Sequence, residues 1–382
     1  MRSTPLCPRP GLALLTAALA VAVGCSAYEP FETLPDLERQ IEARLGSERG
    51  GRVEIPFALS EQILTEAKPF LAPSGSERDR VEEVIDFIFS GLDLKYSLTP
   101  TRNAAETFAV REGNCLSFVN LFVGLARQKR LNPFYVEVQD YQRWNFKDGV
   151  VISRGHIVAG INIDGNLRTY DFLPYRPKSY RDFEPVDDIT AIAHFYNNLG
   201  AEALIEGDEE RAESHLEIAV GLAPDFEKAI NNLGVLMLRQ GRAEDAKAVI
   251  DRGLGLHPTS VPLMSNLARV EQTLGNMERA EELLSQLEEV NETNPFFFVY
   301  RGEIALSGGD TRAALEYMRR ALRTDSEVPE VHVGLAKVYI ALGEIPKAKH
   351  HLERALRLDA THDEARKYAA MLQGGRPRSG SG

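Results

Sequence analysis

The sequence predicts an α+β domain followed by an all-α solenoid. Three observations carry that prediction. The last half of the chain repeats with an unbroken 34-residue period. Residues 115–127 are apolar on nearly all sides, as a helix at a domain centre must be. Asp164-Gly165 separates two strand-like runs with a strong hairpin signal. At 382 residues, 43% hydrophobic and 26% charged, the chain has room for two ordinary cores.

The first residues read as a leader rather than as part of either core. Arg2 and Arg9 flank the start of an apolar run over 11–23 that is too short to span a bilayer comfortably. The run ends Ala22-Val23-Gly24-Cys25, which resembles a bacterial lipobox, in which the cysteine is diacylated and becomes the mature N-terminus. The resemblance implies a lipoprotein signal peptide over 1–24 and lipidation of Cys25. Acyl chains anchor firmly because each buried methylene contributes about 0.8 kcal/mol. Ser26, where enteric-type sorting reads an aspartate as a retention signal, points to the outer membrane and its periplasmic side. Residues 25–54 are then a lipidated tether carrying one charged helix from Leu34 to Leu45. With Cys7 removed and Cys25 acylated, Cys115 is the thiol left over, either buried and inert or reactive.

From residue 55 to 186 the pattern is that of a folded domain. Residues 60–70 and 76–89 carry helical spacing, and Ser76 with Asp79 opens the second run as a capping box. Asn114 is a good N-cap, which puts Cys115 in the first turn of the apolar helix, where the partial positive charge favours a thiolate. Backbone amides at that terminus can also receive an oxyanion. His156 is the sole histidine between residues 26 and 193 and begins a strand running to Ile163. A two-residue turn pairs Ile163 with Asn166, so that Asp171 becomes the diagonal same-face neighbour of His156, with Cα atoms about 7–8 Å apart. A three-residue turn would spoil that register unless a bulge restored it. Taken singly, His156 reads as a half-buried histidine and Asp171 as a strand-end carboxylate. Together with Cys115 they make the thiol–imidazole–carboxylate set that nucleophilic acyl transfer requires.

Ala104-Ala105-Glu106-Thr107-Phe108, Gly113-Asn114-Cys115, Gly155-His156 and Tyr170-Asp171 resemble the transglutaminase-like superfamily of papain-like folds over residues 76–176. The resemblance implies a papain-like α+β domain with Cys115 as nucleophile, His156 as general base and acid, and Asp171 as its orienting partner. It also implies hydrolysis of peptide or protein amide bonds ahead of crosslinking, since no amine-acceptor site is legible. Trp144 lies between nucleophile and histidine, where it either lines an acyl pocket or simply packs.

Blocks beginning at Ala193, Glu227, Val261, Pro295 and Pro329 align without gaps. Position fifteen is Gly207, Gly241, Gly275, Gly309 and Gly343, suited to a left-handed helix end. Position twenty is always alanine, from Ala212 to Ala348, and position eight is always glycine or alanine. Small residues at those places let the two helices of a unit approach closely. This resembles the tetratricopeptide repeat, although Arg301 stands where leucine is usual. A cap helix follows over 363–373 and completes a repeat domain over 193–373, with a disordered tail over 374–382. The groove positions of the first helices include Asn197, Asn231, Arg269 and Lys337, candidates for holding a protein or peptide.

The net charge of −12 offers no basic patch for nucleic acid. No phosphate loop or zinc cluster is legible, so no cofactor is expected. The reading is an envelope lipoprotein with a thiol acyl-transfer site and a recruiting array. A catalytically inactive, lipid-anchored scaffold for envelope assembly is the alternative. The anchor is testable directly: Cys25→Ser should move the protein from the membrane to the soluble fraction and abolish incorporation of radiolabelled palmitate.

Overall fold

The computed structural model describes residues 33–72, 75–147, 150–163, 165–172, 183–290, 295–360 and 362–374. The leader, Cys7, Cys25 and residues 375–382 lie outside them. Thr33 caps α1 (Leu34–Leu45) by accepting from the Asp36 amide. Leu37 and Ile41, one turn apart, are fully buried, and Arg44 donates to the Leu222 carbonyl. The helix expected within a tether is therefore packed on the body of the protein. Burying each of these side chains contributes about 1.5–3 kcal/mol, which a free tether forgoes.

A short α2 (Ser47–Gly50) precedes α3 (Glu61–Glu66) and α4 (Lys68–Leu71). The single helix expected over 60–70 is broken at Ala67, because Pro69 lacks the amide that a continuous helix would need. Next comes α5 (Glu77–Asp86), which opens on the expected capping box. Ser76 Oγ accepts from the Asp79 amide at 3.3 Å, while Asp79 Oδ2 accepts from the Ser76 amide at 2.7 Å. A π turn over Phe87–Gly91 ends it. The short strand β1 (Lys95–Tyr96) pairs in parallel with β2 (Glu112–Gly113), and α6 (Ala104–Val110) bridges them. From there α7 (Cys115–Gln128) runs through the core, buried from Leu116 to Ala126 without interruption.

Strands β3 (Pro133–Lys147), β4 (Val150–Ile163), β5 (Asn166–Tyr170) and β6 (Phe183–Val186) form an antiparallel sheet in the order β5-β4-β3-β6. Ile163 pairs with Asn166, the register that a two-residue turn demands. The strand carrying His156 begins six residues early, at Val150, because its first part pairs with the end of β3 beyond a bulge between Val138 and Arg143.

Five helix pairs make the array: α8 (Asp188–Glu206) with α9 (Glu209–Leu222), α10 (Glu227–Arg239) with α11 (Ala243–Leu256), α12 (Val261–Thr273) with α13 (Met277–Val290), α14 (Pro295–Ser307) with α15 (Thr311–Thr324), and α16 (Pro329–Ala341) with α17 (Ile345–Leu358). The cap helix α18 (Asp363–Gly374) packs on α17 and buries Ala365. The five glycines at position fifteen have φ of 85°, 74°, 85°, 81° and 74°, the left-handed turn predicted for them. A Cβ on Gly200, Gly234 or Gly302 would stand 2.6–2.7 Å from Leu216, Ile250 or Met318. Position eight is small because the large apolar side chain at position twenty-four lies against it. Among the described residues no helix is long and apolar enough to cross a membrane.

Helix α8 starts at Asp188, five residues ahead of the first repeat block at Ala193, because Asp187 caps it by accepting from the Thr190 amide at 2.6 Å. Its extra turn sends Ile189, Ala191 and Ile192 into one continuous core with Phe57, Phe122 and Ile157. Two buried ion pairs reinforce the junction. Arg127 at the end of α7 meets Asp188 at 2.7 Å, and Lys228 of α10 meets Glu137 of β3 at 2.5 Å. His194 beside Glu137 is fully buried, and burial holds its pKa down to about 4, so it stays neutral. Strand β4 packs against α8, α10 and α12, the first helices of three successive repeats.

Gly234→Leu tests the close approach within repeats. Ile250 lies where the new side chain must go, so the variant should lose about 1–3 kcal/mol of stability in urea unfolding. An unchanged midpoint would contradict the packing described.

Candidate active site

The thiol is placed by a tight strand-to-helix junction. A Cβ on Gly113 would stand 2.6 Å from Ser117 Cβ, so only glycine lets β2 turn this closely into α7. Asn114 then caps the helix, its Oδ1 accepting from the Ser117 amide and hydroxyl, both at 3.0 Å. Cys115 is the first helical residue, half-buried and in no disulfide. The helix N-terminus contributes a partial positive charge there, which favours the thiolate.

His156 comes from β4 and is 3% exposed. Its Nε2 lies 3.1 Å from Asp171 Oδ2, and the imidazole also hydrogen-bonds Cys115. With Nε2 engaged by the carboxylate, Nδ1 is the nitrogen left for the thiol. Asp171 is held from both sides along its own chain. Tyr170 lies 5.7 Å from the Phe122 ring, and Phe172 lies 5.7 Å from Phe122 and 6.3 Å from Phe118. These rings clamp the end of β5 onto α7, which is why the carboxylate reaches His156 beyond the last paired residue of the strand.

The electrostatics favour an ion pair. Burial pushes the His156 pKa down, but the Cys115 charge and the hydrogen bonds from Asp171 and Cys115 outweigh it and raise the value to about 9. Burial penalises either charge alone; each stabilises the other across a short gap.

Not every candidate lies at this centre. Trp144 sits on β3 and its side chain lies outside the described residues. Asn197 and Asn231, expected to line an open groove, are fully buried. They belong to a ladder in which Asn232 donates to Asn197 at 2.8 Å, Asn231 to Asn232 at 3.2 Å, and Asn266 to Asn231 at 2.7 Å. Their amides are consumed between helices, and β4 packs on the same three helices. Lys337 is held by Glu303 at 3.0 Å and Glu364 at 3.1 Å. Arg269 remains exposed. A cleft of about 1430 Å³ runs between α1–α2, α6 and α8–α9 and reaches Thr101 and Arg102, but none of Cys115, His156 and Asp171 lines it. Residues that sequence reading missed are Thr101 and Glu202, which join the cap of α7 to α8 across 101 positions of chain. No local signal marks a contact of that separation.

A tetratricopeptide-repeat family model matches residues 203–260 and 305–372, and a second matches 265–329. The C-terminal array is made of tetratricopeptide repeats. Similar solved structures include a thermophilic repeat protein of Thermus thermophilus, 20% identical, covering 47% of this chain and 98% of that one with a TM-score of 0.36. A repeat protein from Parabacteroides merdae is 19% identical over 47% of this chain and 72% of that one, with a TM-score of 0.31. MamA from Desulfovibrio magneticus is 18% identical over 45% and 97%, with a TM-score of 0.28. No curated protein matches the chain.

The raised His156 pKa fixes a sign. A folded value near 9, above the unfolded 6.5, means that the imidazolium stabilises the fold fully below 6.5 and loses that contribution as pH rises through 9. An NMR titration should show His156 charged at neutral pH. In Cys115→Ser the partner charge is gone and burial should pull the pKa below the wild-type value.

Proposed function

We propose that the chain is a thiol acyl-transfer enzyme acting on amide bonds of peptides or proteins, with a papain-like, transglutaminase-like catalytic domain. The single observation that carries this reading is the contact of Cys115 with His156, whose Nε2 lies 3.1 Å from Asp171 Oδ2. In the proposed reaction the Cys115 thiolate attacks the amide carbonyl carbon. The first-turn amides of α7 receive the oxyanion. His156 gives its proton to the leaving nitrogen, the C–N bond breaks, and a thioester remains on Cys115. Water then attacks the thioester, His156 takes its proton, and the acid leaves as the Cys115 thiolate is restored. Asp171 keeps the imidazole in one orientation throughout. Hydrolysis needs only water as acceptor, whereas crosslinking needs a second amine held beside the thioester.

Tetratricopeptide repeats support binding of a protein partner. In this reading the partner binds toward the C-terminal repeats, since β4 packs on the first helices of the first three. Lipidation at Cys25 would hold this enzyme at the outer membrane, facing the periplasm. The scaffold reading draws on the same repeats and dispenses with the thiol.

Cys115→Ala should abolish both labelling by iodoacetamide and amidase activity toward envelope peptides, and should trap substrate for co-purification. A wild-type thiol no more reactive than a buried control cysteine would sink the enzyme reading and leave the scaffold. Cys115→Ser leaving function intact while changes at the repeats destroy it would do the same.

A further inference from the structure

Glu202 lies on α8, in the first repeat, and is 6% exposed. Its Oε1 accepts from Thr101 Oγ1 at 2.7 Å, and both its oxygens lie 3.0 Å from the Thr101 amide. Thr101 Oγ1 accepts from Asn114 Nδ2 at 2.7 Å. Asn114 Oδ1 accepts from the Ser117 amide in the first turn of α7. The three links form one directed chain from the repeat array to the turn that bears Cys115.

The direction of the chain follows from the chemistry of its ends. The Thr101 hydroxyl donates to Glu202 Oε1, and both carboxyl oxygens also face the Thr101 amide, so the proton of the hydroxyl points at Glu202. Its lone pairs then face Asn114, which can answer only with its NH2 group. That leaves Asn114 Oδ1 toward α7, the one orientation in which an asparagine caps a helix. Without the carboxylate the hydroxyl is free to turn, and Asn114 Nδ2 is left with its longer contact, 3.4 Å to the Leu98 carbonyl. Ser117 Oγ meanwhile accepts from the Arg102 amide at 2.8 Å, so the loop next to Thr101 is tied to the same turn.

We propose that Glu202 is a positioning residue for the Cys115 thiolate: through Thr101 it steadies the Asn114 cap, so that the first tetratricopeptide repeat supports the active centre. The inference rests on the thiol reading given above. It assigns the first repeat to reactivity rather than to recruitment, and it makes the array inseparable from the chemistry.

The test follows Cys115 alkylation by iodoacetamide against pH in the full chain, with circular dichroism as the check on folding. Thr101→Val keeps the volume and removes the hydroxyl relay. Glu202→Ala removes its acceptor. Both should label up to about fivefold more slowly at neutral pH, the scale of a helix-terminus charge effect, with the alkylation midpoint moved upward. Thr101→Ser keeps the hydroxyl and should follow the wild type. Folded variants with the wild-type midpoint would overturn the inference, and Thr101→Val decides the matter if Glu202→Ala fails to fold. A wild-type midpoint equal to that of an unperturbed cysteine would overturn the thiol reading, and this inference with it.

Discussion

Helix α8 is buried on two sides, and the remainder of the molecule is arranged around that constraint. One side packs with α9 and α10 as the first unit of the repeat array. The other packs with α7 and the sheet as part of the N-terminal core. A helix in this position cannot carry an uncompensated charge, since a buried ion without a partner costs several kcal/mol. Three of its ionisable side chains show how that constraint is met. Asp188 meets Arg127, Glu202 meets Thr101, and His194 is kept neutral beside the Glu137–Lys228 pair. The hydrogen bond from the Glu54 amide to Tyr196 Oη at 2.8 Å ties the segment after α2 to the same helix.

The candidate site inherits its order from that junction. Cys115 lies at the end of a helix buried along its whole length, so its backbone has little freedom. His156 sits on β4 and Asp171 just past the end of β5, and aromatic rings at that end and on α7 set the distance between them. A charge on either the Cys115 thiol or the buried His156 imidazole would be penalised on its own. Burial opposes the pair and their mutual attraction opposes burial. The raised His156 pKa says which effect prevails.

The repeats were legible because a 34-residue period writes the same packing problem five times. Gly207 and its four equivalents turn left-handed for the reason their positions suggested. The pairing of Ile163 with Asn166 was legible because Asp-Gly turns are short and side chains alternate strictly along strands. Other features were hidden by distance in the chain. Nothing near Leu37 or Ile41 announces that α1 will be covered by the first repeat. Asn197 and Asn231 have the polarity of groove residues, yet their amides are engaged by Asn232 and Asn266, because a polar group between packed helices must find a partner. The Glu202 contact with Thr101 depends on two elements brought together only by the complete fold.

Strand β4 joins these themes, since it carries His156 and also packs on the first helices of three repeats. While β4 stays in the sheet, the faces of α8, α10 and α12 that it covers are closed to any other chain. A change in β4 therefore alters what these three repeats present without touching a single repeat, and it does so on the strand that holds His156.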